Sequence, residues 1–199
     1  MAQDLPLNKE NILDAAEQVL RRYGPDKTSV VDVARVLQVS HGTLYRHFAS
    51  KSALREAVTE RWLERSITAP LETIANQAGG SSSGRLRLWL ETLIRSKRTY
   101  SVDDSEMFAM YAAVTLEAVE MITVHVDRLI QQVAQIVEEG IKSKEFKSGS
   151  SSEGVAKAIF IATSRFHHPS HAYEWVEEKT NEEFDAVFNL ILSGITKSS

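Results

Sequence analysis

Apolar residues recur at steps of three and four along almost the whole chain, and this helical period constrains the fold more than any other feature. The chain has only 4 prolines and 9 glycines among 199 residues, so few positions interrupt long helices. No segment shows the alternation of apolar and polar residues that a half-buried strand requires. The sequence therefore predicts an all-α fold.

Polar residues that cap helices mark where the first four helices begin. Their side-chain oxygens can accept hydrogen bonds from the free N–H groups of a first helical turn. The capping residues are Asn8, Ser29, Ser40 and Ser50. Gly24 and Pro25 end the first helix, because Gly accepts the left-handed cap and Pro cannot continue a helix. The predicted helices are 9–23, 29–38, 40–48 and 51 to about 78.

The rest of the chain is divided by segments rich in Gly and Ser. Residues 79–84 are flexible by composition and are interpreted as a loop between the fourth and fifth helices. Residues 103–139 contain neither Gly nor Pro, so periodicity allows either one long helix or two helices broken near Ala113. The remaining predicted helices are 85–97, 153–166 and 181–195.

Composition and charge exclude several classes of protein. Without cysteine the chain holds neither disulfides nor thiolate metal sites. No apolar run approaches the ~18 residues of a membrane span, and residues 1–9 lack the apolar core of a signal peptide, so we expect a cytoplasmic protein with no membrane partner. The net charge is −4, yet residues 33–55 contain no acid and four basic residues, a local surface suited to phosphate contacts.

The second and third predicted helices, joined by a tight turn, have the layout of a helix-turn-helix. A recognition helix enters the major groove by its N-terminal end, so it needs small or polar residues first and buried apolar residues behind them. Residues 40–43 (Ser-His-Gly-Thr) meet the first need, and Leu44 and Phe48 meet the second. The glycine at position 42 lets the backbone approach DNA closely.

Three further side chains can reach phosphates beside the groove. Tyr45 and His47 follow the polar start of the recognition helix, and Lys51 begins the next helix beside N–H groups that themselves attract phosphate. The alternatives are a core aromatic for Tyr45 and a solvated surface position for His47. For Arg46, a solvated position and a position flanking the DNA are equally compatible with the sequence.

These segments closely resemble the DNA-binding domain of the TetR family of bacterial transcription regulators. The resemblance covers residues 9–58 and rests on 28–34 (TSVVDVA), 39–48 (VSHGTLYRHF) and 50–54 (SKSAL), whose caps, turn and lysine fall in register. It implies a DNA-binding domain over 1–50 and a ligand-binding and dimerisation domain over 51–199, linked by the helix from 51 to about 78. The implied contacts to the DNA backbone come from Ser29, Thr43, Tyr45, His47 and Lys51. The residues implied to face base edges are His41, Gly42 and Thr43, and Ser40, which caps the recognition helix, is a further candidate DNA-binding residue.

Gln38 departs from the family pattern, which often has Gly at this point of the turn. A left-handed backbone costs a non-Gly residue about 1–2 kcal/mol. The sequence therefore predicts either a strained turn at Gln38 or a slightly reshaped one, with a changed angle of the recognition helix.

The resemblance also implies a homodimeric repressor that a small-molecule effector releases from a palindromic double-stranded DNA operator. A pocket lined by aromatic residues suits an apolar or aromatic effector. The candidate effector residues are Trp89, Phe108, Tyr111, His125 and Phe166. In the family the last two helices form the dimer interface, and burial inside the protomer is the alternative for them. The candidate interface residues are Gly154, Ala158, Ala162, Phe184, Phe188 and Ile191.

Other functions find less support in the residues. His167, His168 and His171 have the spacing of metal ligands, but Pro169 lies within the run, and a helix terminus without metal is the favoured interpretation. No Gly-rich phosphate loop, HExxH motif or nucleophile elbow predicts an enzyme or a cofactor. The alternative to the ligand-gated repressor is a helical interaction module or a regulator without a small-molecule effector.

Overall fold

The computed structural model describes residues 7–25, 28–175 and 179–197, and over these ranges it confirms the all-α prediction. The described residues form helices and no strand; the pairing of Phe146 with Thr196 is an isolated bridge. The α-helices are α1 (Lys9–Tyr23), α2 (Val30–Val36), α3 (His41–Tyr45), α4 (Lys51–Leu63), α5 (Ala69–Ala75), α6 (Ser82–Asp103), α7 (Ser105–Glu117), α8 (Val119–Lys142), α9 (Ser152–Ala162) and α10 (Lys179–Ile195).

Contacts divide the chain into two compact units. Unit 1 contains Met1–Trp62 and Val102–Ile122, and unit 2 contains Leu63–Ser101 and Thr123–Ser199. The boundary predicted after residue 50 differs from this division, because unit 1 takes in most of α4 and all of α7 in addition to the three predicted DNA-binding helices.

Unit 1 is held together by a charged cluster as well as by its apolar core. Arg61 in α4 donates to the Glu17 carboxylate of α1 at 2.6 and 3.0 Å. The same guanidinium lies 2.8 Å from Asp14 and 3.0 Å from Glu10. Because Arg61 and Glu17 are both largely buried, this Arg61 cluster joins α1 to α4 with little competition from water.

The long helix predicted over 51–78 contains a π turn at Glu64–Thr68, between α4 and α5. In unit 2 the buried apolar residues of this stretch recur every four positions, at Leu63, Ile67, Leu71 and Ala75. A step of four overshoots an α-helical turn of 3.6 residues, and the wider π turn takes up the difference. The π turn therefore keeps one face of the helix in the core.

The loop predicted over 79–84 is shorter than expected, because α6 begins at Ser82. The carboxylate of Glu145 accepts from the backbone N–H groups of Ser82 and Ser83 at 2.7 and 2.9 Å, and the Ser83 hydroxyl also donates to it. Ser81 Oγ accepts from the Gly84 N–H at 3.0 Å. An acid distant in sequence thus stabilises a helix start where composition predicts a loop.

Residues 103–139 form two helices, but the break lies at Ala118 and not near Ala113. Ala118 has φ −112° and ψ 65°, outside the helical region. Nothing in the local sequence explains the break at this residue. The next predicted helix ends earlier than 166, because Ser164–Phe166 forms a 3₁₀ turn after α9.

The end of α8 contains a very close contact within unit 2. Lys144 has a left-handed backbone with φ 66°, and the chain then folds back so that the Phe146 N–H donates to the Gly140 carbonyl at 2.9 Å. A Cβ placed on Gly140 would lie 2.2 Å from Phe146 Cδ2. The fully buried Phe146 ring therefore occupies the space that any side chain at position 140 would need.

Within the described ranges, no single helix is both long and apolar enough to cross a membrane. The consecutive helices α7 and α8 meet that test of length and composition only when they are joined across the break between them.

Candidate nucleic-acid interface and ligand-binding residues

Hydroxyl groups cap α2 and α3, which confirms the two predicted helix starts. Ser29 Oγ accepts from the Asp32 N–H at 3.3 Å, and its hydroxyl donates to the Asp32 carboxylate. Ser40 Oγ accepts from the Thr43 N–H at 3.2 Å and lies 2.8 Å from Thr43 Oγ1. These bonds satisfy N–H groups that a helix start otherwise leaves free, so the caps fix where α2 and α3 begin.

The turn between α2 and α3 keeps a left-handed residue although no glycine is present. Gln38 has φ 55° and is exposed. Its N–H donates to the Arg35 carbonyl at 3.2 Å, and the Val39 N–H donates to the Ala34 carbonyl at 3.0 Å. Of the two outcomes that the sequence left open, the structure shows the strained one.

We expect Gln38→Gly to raise the free energy of unfolding by about 0.5–1 kcal/mol. Glycine removes a left-handed penalty of about 1–2 kcal/mol but increases the entropy of the unfolded chain by about 0.4–1 kcal/mol. Urea denaturation measures the difference. Gln18→Gly, at an exposed position within α1, is the matched control and should lower stability by about 1 kcal/mol. A loss of stability on Gln38→Gly would contradict the assignment of strain to this turn.

The helix α3 has a buried side and an exposed side. Leu44 and Phe48 are buried, which confirms the predicted apolar anchors. Tyr45 is 51% exposed, and His41 and His47 are exposed as well. The side chains predicted to contact DNA therefore stand on the surface while the anchors behind them fix the helix.

Gly42 is not required by the folded chain itself. A Cβ at this position would meet only Ser40 Oγ, at 3.9 Å, and the backbone is not left-handed. Glycine within a helix costs about 1 kcal/mol relative to alanine. Because neither packing nor backbone conformation explains this residue, its missing side chain is consistent with close approach of another molecule to α3.

The basic residues of 33–55 differ in whether they form ion pairs with acids of the chain. Arg35 and Arg55 form ion pairs with acids of unit 1, at 3.0 and 3.3 Å. Arg46 and Lys51 are exposed and form no ion pair within the described part of the chain; Arg46 donates to Thr43 Oγ1 at 3.3 Å. Arg46 and Lys51 are thus the cations beside α3 that remain available to phosphates.

The five candidate effector residues are buried but do not form one group. Phe108 and Tyr111 belong to unit 1, where their ring centroids lie 5.9 Å apart. Trp89, His125 and Phe166 belong to unit 2. The division arises because α7 packs with α1, an arrangement that periodicity does not reveal.

A buried polar network connects two of these candidates in unit 2. Trp89 Nε1 donates to Gln132 Oε1 at 3.0 Å, and Gln132 Nε2 donates to the Thr68 carbonyl at 3.1 Å. Thr68 Oγ1 lies 3.3 Å from His125 Nδ1. His125 Nε2 is buried without a hydrogen-bond partner among the residues that the structure describes. This imidazole is therefore a polar group in the interior with unused bonding capacity.

Lys97 is a further interior residue, which the sequence analysis did not single out. It is 2% exposed, and burial lowers its pKa to about 7. The signal was present in the sequence, because Lys97 continues the stripe of Leu86, Leu90 and Leu93 on α6. Burial, and then the nearby charge of Lys97, lowers the pKa of His125 and of His167 to about 3.

We expect stability to fall as the pH drops below 6.5, because the unfolded chain then protonates His125 and His167 while the folded chain does not. Each histidine should cost about 2 kcal/mol of stability between pH 6.5 and 5. Urea denaturation at several pH values measures this slope, and His125→Gln should reduce it. His171→Gln removes another imidazole of unit 2 and serves as the control. An unchanged slope in His125→Gln would contradict the prediction.

The candidate dimer residues fall into an exposed and a buried set. Gly154, Ala158 and Ala162 are exposed along α9, whereas Phe184 and Phe188 are buried inside unit 2. Ile191 is half-buried. Ile161 on α9 and Leu190 on α10 are also exposed, at 61% and 73%. Burial within the protomer thus accounts for the two phenylalanines, and the dimer contact remains a prediction for the exposed set.

The three clustered histidines have partners within the chain. His167 is buried, and its Nε2 lies 3.3 Å from Thr163 Oγ1. His168 Nδ1 accepts from the Ser170 N–H at 3.3 Å, and His171 Nδ1 lies 2.9 Å from the Glu174 carboxylate. Across the described residues, no group of three or more metal-ligating side chains has a geometry that suits a metal ion.

Two family models match the sequence. The model described as "Bacterial regulatory proteins, tetR family" matches residues 12–58, and "Tetracyclin repressor-like, C-terminal domain" matches residues 82–188, more than half of the chain. The chain belongs to the TetR family. TetR-family proteins are transcriptional regulators. The first of the two models covers α3 and its exposed N-terminal end.

Curated relatives match over short segments. The uncharacterized HTH-type regulator YvdT of Bacillus subtilis is 38% identical over 58 residues, 29% of this chain and 30% of the relative. The A-factor receptor protein of Streptomyces griseus is 38% identical over 50 residues, 25% of this chain and 18% of the receptor. The chain thus spans less than a third of the length of either relative.

Solved structures match over nearly the full chain. SmeT, the repressor of the multidrug efflux pump SmeDEF of Stenotrophomonas maltophilia, has a TM-score of 0.68 at 16% identity, with 98% of this chain and 93% of SmeT covered. FadR of Bacillus subtilis, solved with stearoyl-CoA, has a TM-score of 0.59 at 23% identity, with 94% and 100% covered. At these identities the similarity establishes a TetR-type fold.

Proposed function

We propose that this TetR-family protein is a cytoplasmic repressor that binds a palindromic DNA operator as a homodimer and is released by a small apolar or aromatic molecule. The observation that carries the proposal is the exposed, capped N-terminal end of α3, where Gly42 leaves open space. This surface stands on buried Leu44 and Phe48, so its position is fixed before DNA arrives.

In this proposal α3 enters the major groove by its first turn. His41 and Thr43 face base edges, and the Thr43 methyl group suits contact with a thymine methyl because its hydroxyl is engaged by Ser40. The residues proposed to hold the DNA backbone are Ser29, Tyr45, His47 and Lys51. Backbone contacts set affinity and register, whereas the contacts of α3 set sequence preference.

A homodimer would present two copies of α3 to half-sites about 34–36 Å apart or a little more. The exposed small residues of α9, together with exposed Ile161 of α9 and Leu190 of α10, are the proposed contact residues. Sedimentation of the purified protein at micromolar concentration measures the mass, and a value near one chain would contradict the dimer.

The effector is proposed to bind in the interior of unit 2, near Trp89, His125 and Phe166. Release follows if the effector binds one conformation better than the conformation that binds DNA. One structural neighbour is the repressor of an efflux pump, which supports the repressor part of the proposal, and another is a regulator solved in complex with stearoyl-CoA, which supports a ligand in general terms.

A footprint on the promoter region of the native gene and its neighbours tests the proposal. We expect protection of a palindrome, strongest at low salt because phosphate contacts release counterions. No protection at low salt would contradict the repressor function.

Variants of α3 separate DNA recognition from folding. Gly42→Ala should raise the free energy of unfolding by about 0.5–1 kcal/mol, because alanine favours a helix, and should nevertheless weaken DNA binding. Tyr45→Ala and Lys51→Ala should weaken binding to all sequences alike, whereas His41→Ala should change which bases are preferred, by about 1–3 kcal/mol. If all four variants bound DNA as the wild type does, α3 would not be the recognition helix.

A further inference from the structure

Unit 2 has a cleft of about 470 Å³ between α6 and α10. Its lining residues differ from those proposed for DNA and for the effector, although Phe184 of its wall packs edge-on against Phe166 at 5.6 Å. Its size lies within the range of small-molecule sites, about 300–1,000 Å³. The apolar wall includes Ile94 of α6 and Phe184 of α10. Polar groups line both ends of this α6–α10 cleft, and the two ends differ in charge.

The acids of the cleft are concentrated at one end and are already paired. Arg87 donates to Glu91 at 2.7 Å and also to the carboxylate of Asp185. Both acids lie within reach of this one guanidinium, which also stacks over the ring of Phe188 at 5.3 Å. The Arg87 end therefore has little capacity left to bind a cation or an anion.

The other end is cationic and incompletely bonded. Arg98 Nη1 donates to Asn181 Oδ1 at 2.9 Å, but Arg98 Nε and Nη2 are buried without a hydrogen-bond partner in the described part of the chain. Arg95, one turn earlier on α6, lines the same cleft and forms no ion pair with any described residue. Two arginines thus line one space, and among the described lining residues no acid at this end pairs with either of them.

The unused atoms of Arg98 specify the chemistry of a ligand. The Nε–H and the outer Nη2–H of a guanidinium point in parallel, so this edge binds both oxygens of one carboxylate or phosphate. Leaving buried charged donors unbonded is costly, and an anion would remove that cost. Arg98 itself lines the cleft, and binding at this edge requires its side chain to rotate, because Nε and Nη2 are buried in the structure.

We propose that the α6–α10 cleft binds an anionic amphiphile whose carboxylate or phosphate head is held by Arg98 and Arg95. The apolar chain of the ligand lies against Ile94 and Phe184. This inference goes beyond the repressor function, since it requires neither DNA binding nor release from DNA.

Isothermal titration calorimetry of the full-length protein tests the inference with three probes of equal chain length. Octanoate and octyl phosphate should bind saturably, and octanol should bind at least about tenfold more weakly because it lacks the charge. The tighter of the two anions identifies the head group. Equal binding of octanol and octanoate, or no saturable binding of either anion, would overturn the proposal.

Variants locate the binding. Arg98→Gln should weaken octanoate about tenfold or more, and Arg98→Lys should weaken it less, because lysine keeps the charge but loses the paired donors. Arg128→Gln, in another cleft of unit 2, is the control and should leave binding unchanged. If Arg98→Gln fails to fold, Arg95→Gln at an exposed position gives the same readout. Wild-type affinity in a folded Arg98→Gln or Arg95→Gln protein would place the ligand elsewhere. DNA binding is measured separately, so failure of the repressor function leaves this result interpretable.

Discussion

Replacing Arg61 with methionine should lower the free energy of unfolding by about 3 kcal/mol, at the low end of the range for a broken buried ion pair. Among the described residues, the substitution leaves the largely buried Glu17 carboxylate with Arg21, at 3.1 Å, as its one remaining ion-pair partner. It also leaves three acids of α1 close together without the cation that lies between them. Urea denaturation monitored by circular dichroism measures the loss.

The matched control is Arg128→Met. Arg128 pairs with Glu64 at 3.2 Å, but both side chains are about half exposed, so the pair contributes only about 0–1 kcal/mol. If the two substitutions lower the free energy of unfolding equally, burial does not strengthen the Arg61 cluster. The cluster then does not stabilise the packing of α1 on α4 as proposed.

The contact between Gly140 and Phe146 should give a strong coupling between two substitutions. Phe146→Ala removes a fully buried ring and should cost about 3–5 kcal/mol. Gly140→Ala forces a methyl group into the space of that ring and should cost about 1–3 kcal/mol. In the double variant the methyl group enters the cavity that the ring has left, so the total cost should fall below the sum by about 1–2 kcal/mol.

Gly194→Ala is the control for this cycle. Gly194 also lies in a helix, but apart from its chain neighbours and the adjacent backbone of its own helix no described atom lies within 4 Å of the place where its Cβ would stand. The same substitution there should raise stability by about 0.5–1 kcal/mol. Strict additivity of the two changes at 140 and 146 would show that the close contact is absent in solution.

Local signals made α2 and α3 predictable from the sequence. A hydroxyl cap acts within three residues, as Ser40 does on Thr43, and an apolar anchor such as Leu44 follows from helical period. The unusual turn was visible for the same reason, since Gln38 stands where a left-handed residue is needed. Each of these features depends on neighbours in the chain.

Features that depend on distant partners were not predictable. The start of α6 at Ser82 requires Glu145, more than sixty residues later. Arg61 finds its acids in α1, and the division of the effector candidates between two units follows from the packing of α7. The free edge of Arg98 becomes evident only when α10 lies beside α6. The sequence determines these contacts, but no pattern among neighbouring residues reveals them.

The π turn at Glu64–Thr68 has a consequence for how this stretch tolerates changes in length. A π turn contains one residue more than an α turn, because its bonds run from i to i+5. A chain that lacks Ser66 can therefore close as a continuous α-helix, with Leu71 and Ala75 still directed into the core of unit 2. The same deletion within α8 would rotate every later residue of that helix by about 100° and turn its apolar face out of the core. The π turn is thus the place in this helix where a one-residue deletion leaves the hydrophobic register intact.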